Sequence, residues 1–202
     1  MEEMEMSDME QRKMRTIESK FETRETETDK RIEGYFSVFD GVYDIGMGMS
    51  ESVDPHAFDE TLTGDIRALA NHDTTLVLGR TAAHTLELRT DTHGLWGSIL
   101  INPNDQDAMN LYERVKRGDV NQCSFGFDVL DEDTEVRDDG SIHWTIRKVK
   151  LYEVSVCTFP AYETTAVSAR EAQARNIRKR SLEAWRTKEI EKHEWLKGEK
   201  NA

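Results

Sequence analysis

Apolar and polar positions alternate along this chain in short bursts. Ile17 to Glu25 alternates loosely, Thr26 to Asp29 is polar, and the following stretch carries Ile32, Tyr35, Phe36, Val38 and Phe39. A period near two belongs to a strand with one buried face, so this region predicts two strands joined by a turn. Residues 41–50, with Gly41, Gly46 and Gly48, read as a loop, and the short segment 55–62 fits either helix or loop. Residues 66–69, 75–78, 85–89 and 95–101 are each short and apolar or alternating, with Asn71-His72-Asp73, Ala83-His84 and Thr92-His93-Gly94 between them. Strands at that spacing predict a sandwich or barrel.

One helix interrupts the strands. Ala108, Leu111, Tyr112 and Val115 follow i, i+3, i+4, i+7, with Asn104 as N-cap candidate, Asp105 and Asp107 in the first turn, Lys116 and Arg117 in the last, and Gly118 to close it. Residues 122–130 and 142–149 predict two further strands, with the acidic run 131–139 and Gly140 as a solvated hairpin loop. Residues 151–159 extend the second strand until Pro160, which has no N–H for a central ladder. The last ~35 residues are rich in Ala, Glu, Arg and Lys, a helical composition. The fold expected is α+β and β-rich, in three parts: a structureless acidic leader (1–15), a β-rich domain (16–168) and a basic helical tail (169–202).

Charge narrows the partners. The 202 residues carry 27 Lys+Arg against 40 Asp+Glu, net −13. Residues 1–30 hold 10 acidic and 6 basic groups and residues 169–202 hold 6 and 10, so the middle carries the whole −13. Nucleic-acid affinity rests on phosphate neutralisation, so a core of this sign argues against DNA or RNA binding. The basic tail, with Arg175, Arg178, Lys179 and Arg180, is the segment suited to an acidic partner. No apolar run approaches the ~20 residues of a membrane helix, and the N-terminus lacks the order of a secretory signal. With two cysteines, Cys123 and Cys157, the expectation is a cytoplasmic chain without a disulfide framework.

Strand parity sorts the chemistry. In residues 122–127, Cys123, Phe125 and Phe127 share one face, while Ser124 and Gly126 share the other, where glycine leaves room for a reacting group. In residues 151–156, Tyr152, Val154 and Val156 face one way and Glu153 and Ser155 the other. A solvated strand face would explain Glu153 simply, and a lone strand serine is ordinarily filler. His72 follows an apolar segment at a strand end or loop. Together, His72, Ser124 and Glu153 have the types needed for a base, a nucleophile and a base-orienting acid: a serine hydroxyl needs an imidazole to take its proton, and the imidazole needs an anion to hold its tautomer. His56, His72, His84 and His93 with nearby Asp73 and Asp91 lack metal-ligand spacing, no phosphate-binding glycine motif or GxSxG is present, and Cys123 reads as a core residue. No cofactor or metal is expected.

The order of motifs is more specific than any one of them. Gly34-Tyr35-Phe36-Ser37-Val38-Phe39, Asn71-His72-Asp73 with Val77-Leu78-Gly79-Arg80-Thr81, Gly118-Asp119-Val120, Cys123-Ser124-Phe125-Gly126-Phe127, Leu151-Tyr152-Glu153-Val154-Ser155-Val156 and Thr158-Phe159-Pro160-Ala161-Tyr162 occur in turn. From about Ile32 to Arg170 the chain resembles the prohead maturation proteases of tailed bacteriophages, the HK97-type family. That resemblance implies an assemblin-like β-barrel with peripheral helices and serine endopeptidase activity. It implies cleavage of capsid-protein delta segments or scaffold, and of the enzyme itself, inside the immature prohead in the host cytoplasm. It makes His72 the base and Ser124 the nucleophile, with Glu153 in the third position and Asp73 as a nearby alternative. Partners would be the major capsid or scaffold protein, with further copies of the chain possible. A catalytically silent β-barrel that binds capsid or scaffold is the competing expectation.

Overall fold

Two long antiparallel strands organise the molecule. The computed structural model describes residues 13–18, 21–26, 29–159 and 164–199. The strands are β1 (Lys13–Glu18), β2 (Glu22–Glu25), β3 (Lys30–Val38), β4 (Tyr43–Gly46), β5 (Met49–Val53), β6 (Arg67–Ala70), β7 (Asp73–Arg80), β8 (Leu86–Thr90), β9 (Gly94–Ile101), β10 (Gln122–Val136) and β11 (Ile142–Cys157). Helix α1 (Gln106–Arg117) lies between β9 and β10, and α2 (Thr164–Glu199) follows β11.

β10 and β11 pair along their length, from Gln122 opposite Cys157 to Val136 opposite Ile142. The other edge of β11 is shared: β5 runs parallel to residues 142–146 and β6 parallel to residues 153–156. β4 adds to β5, β7 adds to β6, and β1 covers the outer edge of β10, making seven strands. β2-β3-β9-β8 form a second, antiparallel sheet. The expected barrel does not close among the described strands, because the pairing ends at β1, β4 and β7 in one sheet and at β2 and β8 in the other. Periodicity tells which face of a strand is buried but not which strand lies beside it.

The aromatic face of β10 is core. Phe125 and Phe127 are fully buried with ring centroids 4.8 Å apart, and Phe58 meets Phe125 edge-on at 5.7 Å. Each such ring contributes about 2 kcal/mol through burial. Ile32, Phe36, Leu95 and Ile99 continue the same core from the second sheet. Helix α1 buries Ala108, Leu111, Tyr112 and Val115, the positions its period predicts, and ends at Gly118 with φ 87°, where its N–H reaches the Val115 carbonyl at 2.9 Å. Its N-cap is Asp105, whose carboxylate accepts from the N–H groups of Asp107 and Ala108. Asn104 lies one residue too early, its own N–H held by Asn102 Oδ1. Glu25 accepts from both Lys30 and Lys116, tying α1 to the β2–β3 hairpin.

Several local readings change. β1 begins at Lys13, inside the segment read as a leader, and residues 1–12 lie outside the described residues. The supposed loop 41–50 contains β4 and the start of β5, and residues 55–62 form consecutive turns. The acidic run is mostly strand, because β10 continues to Val136 with exposed charges that give no buried period, leaving only residues 137–141 for the turn. Residues 1–163 and 164–202 separate into two units. The described part of the second is the 36-residue helix α2, on which Leu182, Trp185 and Ile190 are exposed. No described helix is long and apolar enough to cross a membrane.

Candidate active site

Register puts four residues on one patch. Ser124 lies opposite Ser155 and Gly126 opposite Glu153, and residues directly opposed in an antiparallel pair point the same way. Cys123 and Phe125, opposite Val156 and Val154, point the other way into the core. The polar face is not solvated as its composition suggested: Ser124 and Ser155 are fully buried and Glu153 is 7% exposed. A carboxylate at that depth needs partners.

His72 reaches this patch from a two-residue turn. Ala70 pairs with Asp73, so Asn71 and His72 alone connect β6 to β7, at φ 51° and 62°. Two successive left-handed residues match the twist of a tight hairpin but strain side chains other than glycine. Three bonds hold the turn to β11 and the residue after it. Asn71 donates its N–H to the Val156 carbonyl at 3.0 Å, the Thr158 N–H donates to Asn71 Oδ1 at 2.8 Å, and His72 donates its N–H to Ser155 Oγ at 3.2 Å. The parallel pairing of β6 with residues 153–156 brings the histidine to the carboxylate.

His72 Nδ1 lies 2.7 Å from Glu153 Oε1, and Ser155 donates its hydroxyl to Glu153 Oε2 at 2.6 Å. Where the carboxylate accepts at both oxygens, the proton of a neutral imidazole sits on Nδ1 and Nε2 is left as the acceptor. Nε2 and Ser124 Oγ are both buried and neither has a hydrogen-bond partner among the described residues. Leaving such groups unsatisfied costs about 1–3 kcal/mol each. They are an acceptor and a donor of complementary type, the combination required to activate a hydroxyl. No Ser124–His72 hydrogen bond is present, and contacts of this kind often tighten only when substrate binds.

Other candidates are committed elsewhere. Asp73 binds the Thr75 N–H at 2.8 Å and the Thr75 hydroxyl at 2.6 Å, which hold its carboxyl below the usual range. His56 pairs with exposed Asp59, and His93 lies edge-on to Tyr35 at 4.5 Å. His143 has Ser50 at Nδ1 and Ser52 at Nε2, so neither nitrogen is free. Among the described residues no three His, Cys, Asp or Glu side chains converge as a metal site. Gly126 does not leave room for a reacting group. The Glu153 side chain lies across it, and a Cβ there would come 3.2 Å from Glu153 Cγ and Cδ and closer still to Oε1. Ser155 is the participant that sequence reasoning passed over, although its position two residues from Glu153 already put both on one face.

A buried carboxylate, a histidine ring nitrogen without a partner and a serine hydroxyl without one share this polar patch, and comparison with known proteins gives the family. Residues 19–180 match the family model described as caudovirus prohead serine protease, and the chain belongs to that family. It is similar to the prohead protease of Enterobacteria phage HK97, at 31% identity over 158 residues that cover 76% of this chain and 66% of the relative. The chain thus spans just under two thirds of that relative's length. The solved bacteriophage T4 capsid assembly protease aligns with a TM-score of 0.47 and 12% identity, over 74% of this chain and 98% of that one.

Proposed function

We propose that this chain is a serine endopeptidase of prohead maturation, cleaving capsid or scaffold protein and itself, with Ser124 as nucleophile, His72 as general base and Glu153 as the acid that orients it. The observation that carries the reading is the 2.7 Å contact between Glu153 and His72 Nδ1, beside an Nε2 and a Ser124 hydroxyl that are each without a partner.

The chemistry follows from those positions. As Ser124 Oγ bonds to the scissile carbonyl carbon, its proton passes to His72 Nε2. The imidazolium so formed is stabilised by the Glu153 carboxylate and then protonates the departing amine as the C–N bond breaks. Water hydrolyses the resulting ester by the same route, returning the proton to Ser124. The buried setting strengthens the ion pair that forms in mid-reaction. Besides the enzyme itself, the substrate is capsid or scaffold protein met inside the immature prohead in the host cytoplasm.

The test is co-expression of the cognate capsid or scaffold protein with wild type or Ser124→Ala, followed by intact mass of both chains. Cleavage by wild type alone is expected. Equal cleavage by the variant overturns the assignment, and a bound but intact partner with both proteins assigns the silent capsid-binding role instead.

A further inference from the structure

We infer that Ser155 is a positioning residue for the reaction, locking both the acid and the base of the site through a single oxygen. The inference rests on the reading of His72, Glu153 and Ser124 given above and adds a fourth side chain to it.

The argument lies in how that oxygen is used. Ser155 Oγ gives its proton to Glu153 Oε2 at 2.6 Å and accepts the backbone N–H of His72 at 3.2 Å. The first bond fixes the rotation of the carboxylate, leaving Oε1 aimed at His72 Nδ1. The second holds the backbone of a residue at φ 62°, a conformation uncommon outside glycine. Because Ser155 is fully buried, no water replaces the hydroxyl in either role. Its proton is engaged by the carboxylate, whereas Ser124 directly across the ladder has no partner, so these two opposed serines divide the work. Ser155 orients and Ser124 reacts.

The experiment compares wild type with Ser155→Ala, Ser155→Thr and Ser155→Cys on a peptide spanning the cognate cleavage site, with Ser124→Ala as reference. Loss of one charge-assisted hydrogen bond in the transition state corresponds to a kcat about 10- to 100-fold lower for Ser155→Ala with KM unchanged. Threonine keeps the hydroxyl and restores most of kcat, while the weak thiol donor of Ser155→Cys falls between. The NMR signal of the His72 Nδ1 proton is the second readout, taken in the Ser124→Ala background. It is downfield and sharp with Ser155 present, and lost or shifted upfield with Ser155→Ala. If Ser155→Ala fails to fold, Ser155→Cys and the proton signal decide. Wild-type kcat and an unmoved signal in Ser155→Ala or Ser155→Cys overturn the role of Ser155 while leaving Ser124 as nucleophile. Full activity in Ser124→Ala overturns the underlying reading instead.

Discussion

His72 Nδ1 and Glu153 Oε1 lie 2.7 Å apart although 81 residues separate them in the chain. Two features make the contact: the parallel docking of β6 on β11 and the two-residue turn that follows β6. Glu153→Gln keeps the size of the side chain and removes its charge. Peptide cleavage should fall by about 10³- to 10⁴-fold, as for loss of a triad acid, with the melting curve nearly unmoved. A kcat within tenfold of wild type, measured on folded protein, would remove Glu153 from the mechanism.

Gly126 supplies an independent check on the same carboxylate. A methyl group there collides with Glu153, and the flexible end of that side chain is what can yield. Gly126→Ala should therefore lower kcat more than tenfold while changing stability by only about 1–2 kcal/mol. In a double-mutant cycle the added methyl should cost little further activity once Glu153→Ala is present. Additive losses in kcat would show that Gly126 acts by another route.

The turn at Asn71 separates backbone strain from side-chain bonding. Both Asn71→Gly and Asn71→Ala remove the acceptor of the Thr158 N–H, but only alanine is penalised at φ 51°. Alanine should be less stable than glycine by about 1 kcal/mol in urea denaturation. Equal midpoints would mean that the turn relaxes when the asparagine is lost.

Glu25 makes the acid side of the stability profile testable. Hydrogen bonds from Lys30, first, and Lys116 bring its carboxyl from 4.5 down to about 2. A folded-state value below the unfolded one means its contribution is complete above about pH 4.5 and is lost as pH falls toward 2. Thermal melts of wild type and Glu25→Gln should differ at neutral pH and converge near pH 2. Because Glu25 is exposed, added salt should also narrow the gap. A gap that is independent of both pH and salt would count against this pairing.

Cys157 is the remaining thiol of consequence near the site. Burial, and then the negative charge of Glu153, push it up to about 12, so it stays protonated at neutral pH. Cys123, on the opposite face, is buried and donates to the Tyr35 carbonyl at 3.1 Å. Alkylation of the native protein at pH 8 should leave both cysteines unmodified by mass, and denaturation should expose both. Rapid labelling of the folded chain would contradict this burial.

The sequence disclosed different parts of this arrangement for different reasons. Parity assigned the faces of Phe125 and Ser124 because a buried strand has a fixed period, and the stripe from Ala108 to Val115 announced α1 in the same way. It could not disclose that β10 continues through Asp131–Val136, where both faces are charged or exposed. Nor did it show that Asn71 and His72 form the whole turn: Asn71 suits its first position, but His72 stands where such a turn prefers glycine. Gly126 was read as empty space because its occupant, Glu153, comes from another strand. Ser155 shared a face with Glu153 from the outset, but its importance depends on a backbone N–H that only the tertiary fold brings near.

β1 closes what would otherwise be a free edge of the strand that carries Ser124. Thr16 sits beside Ser124 on one side of the ladder and Ser155 on the other, and the pairing with β1 runs from residue 122 to residue 127. The strand that carries Ser124 is therefore an interior member of its sheet over this stretch, its in-plane donors and acceptors already engaged. With residues 13–18 paired in this way, an extended polypeptide cannot join the ladder at that strand.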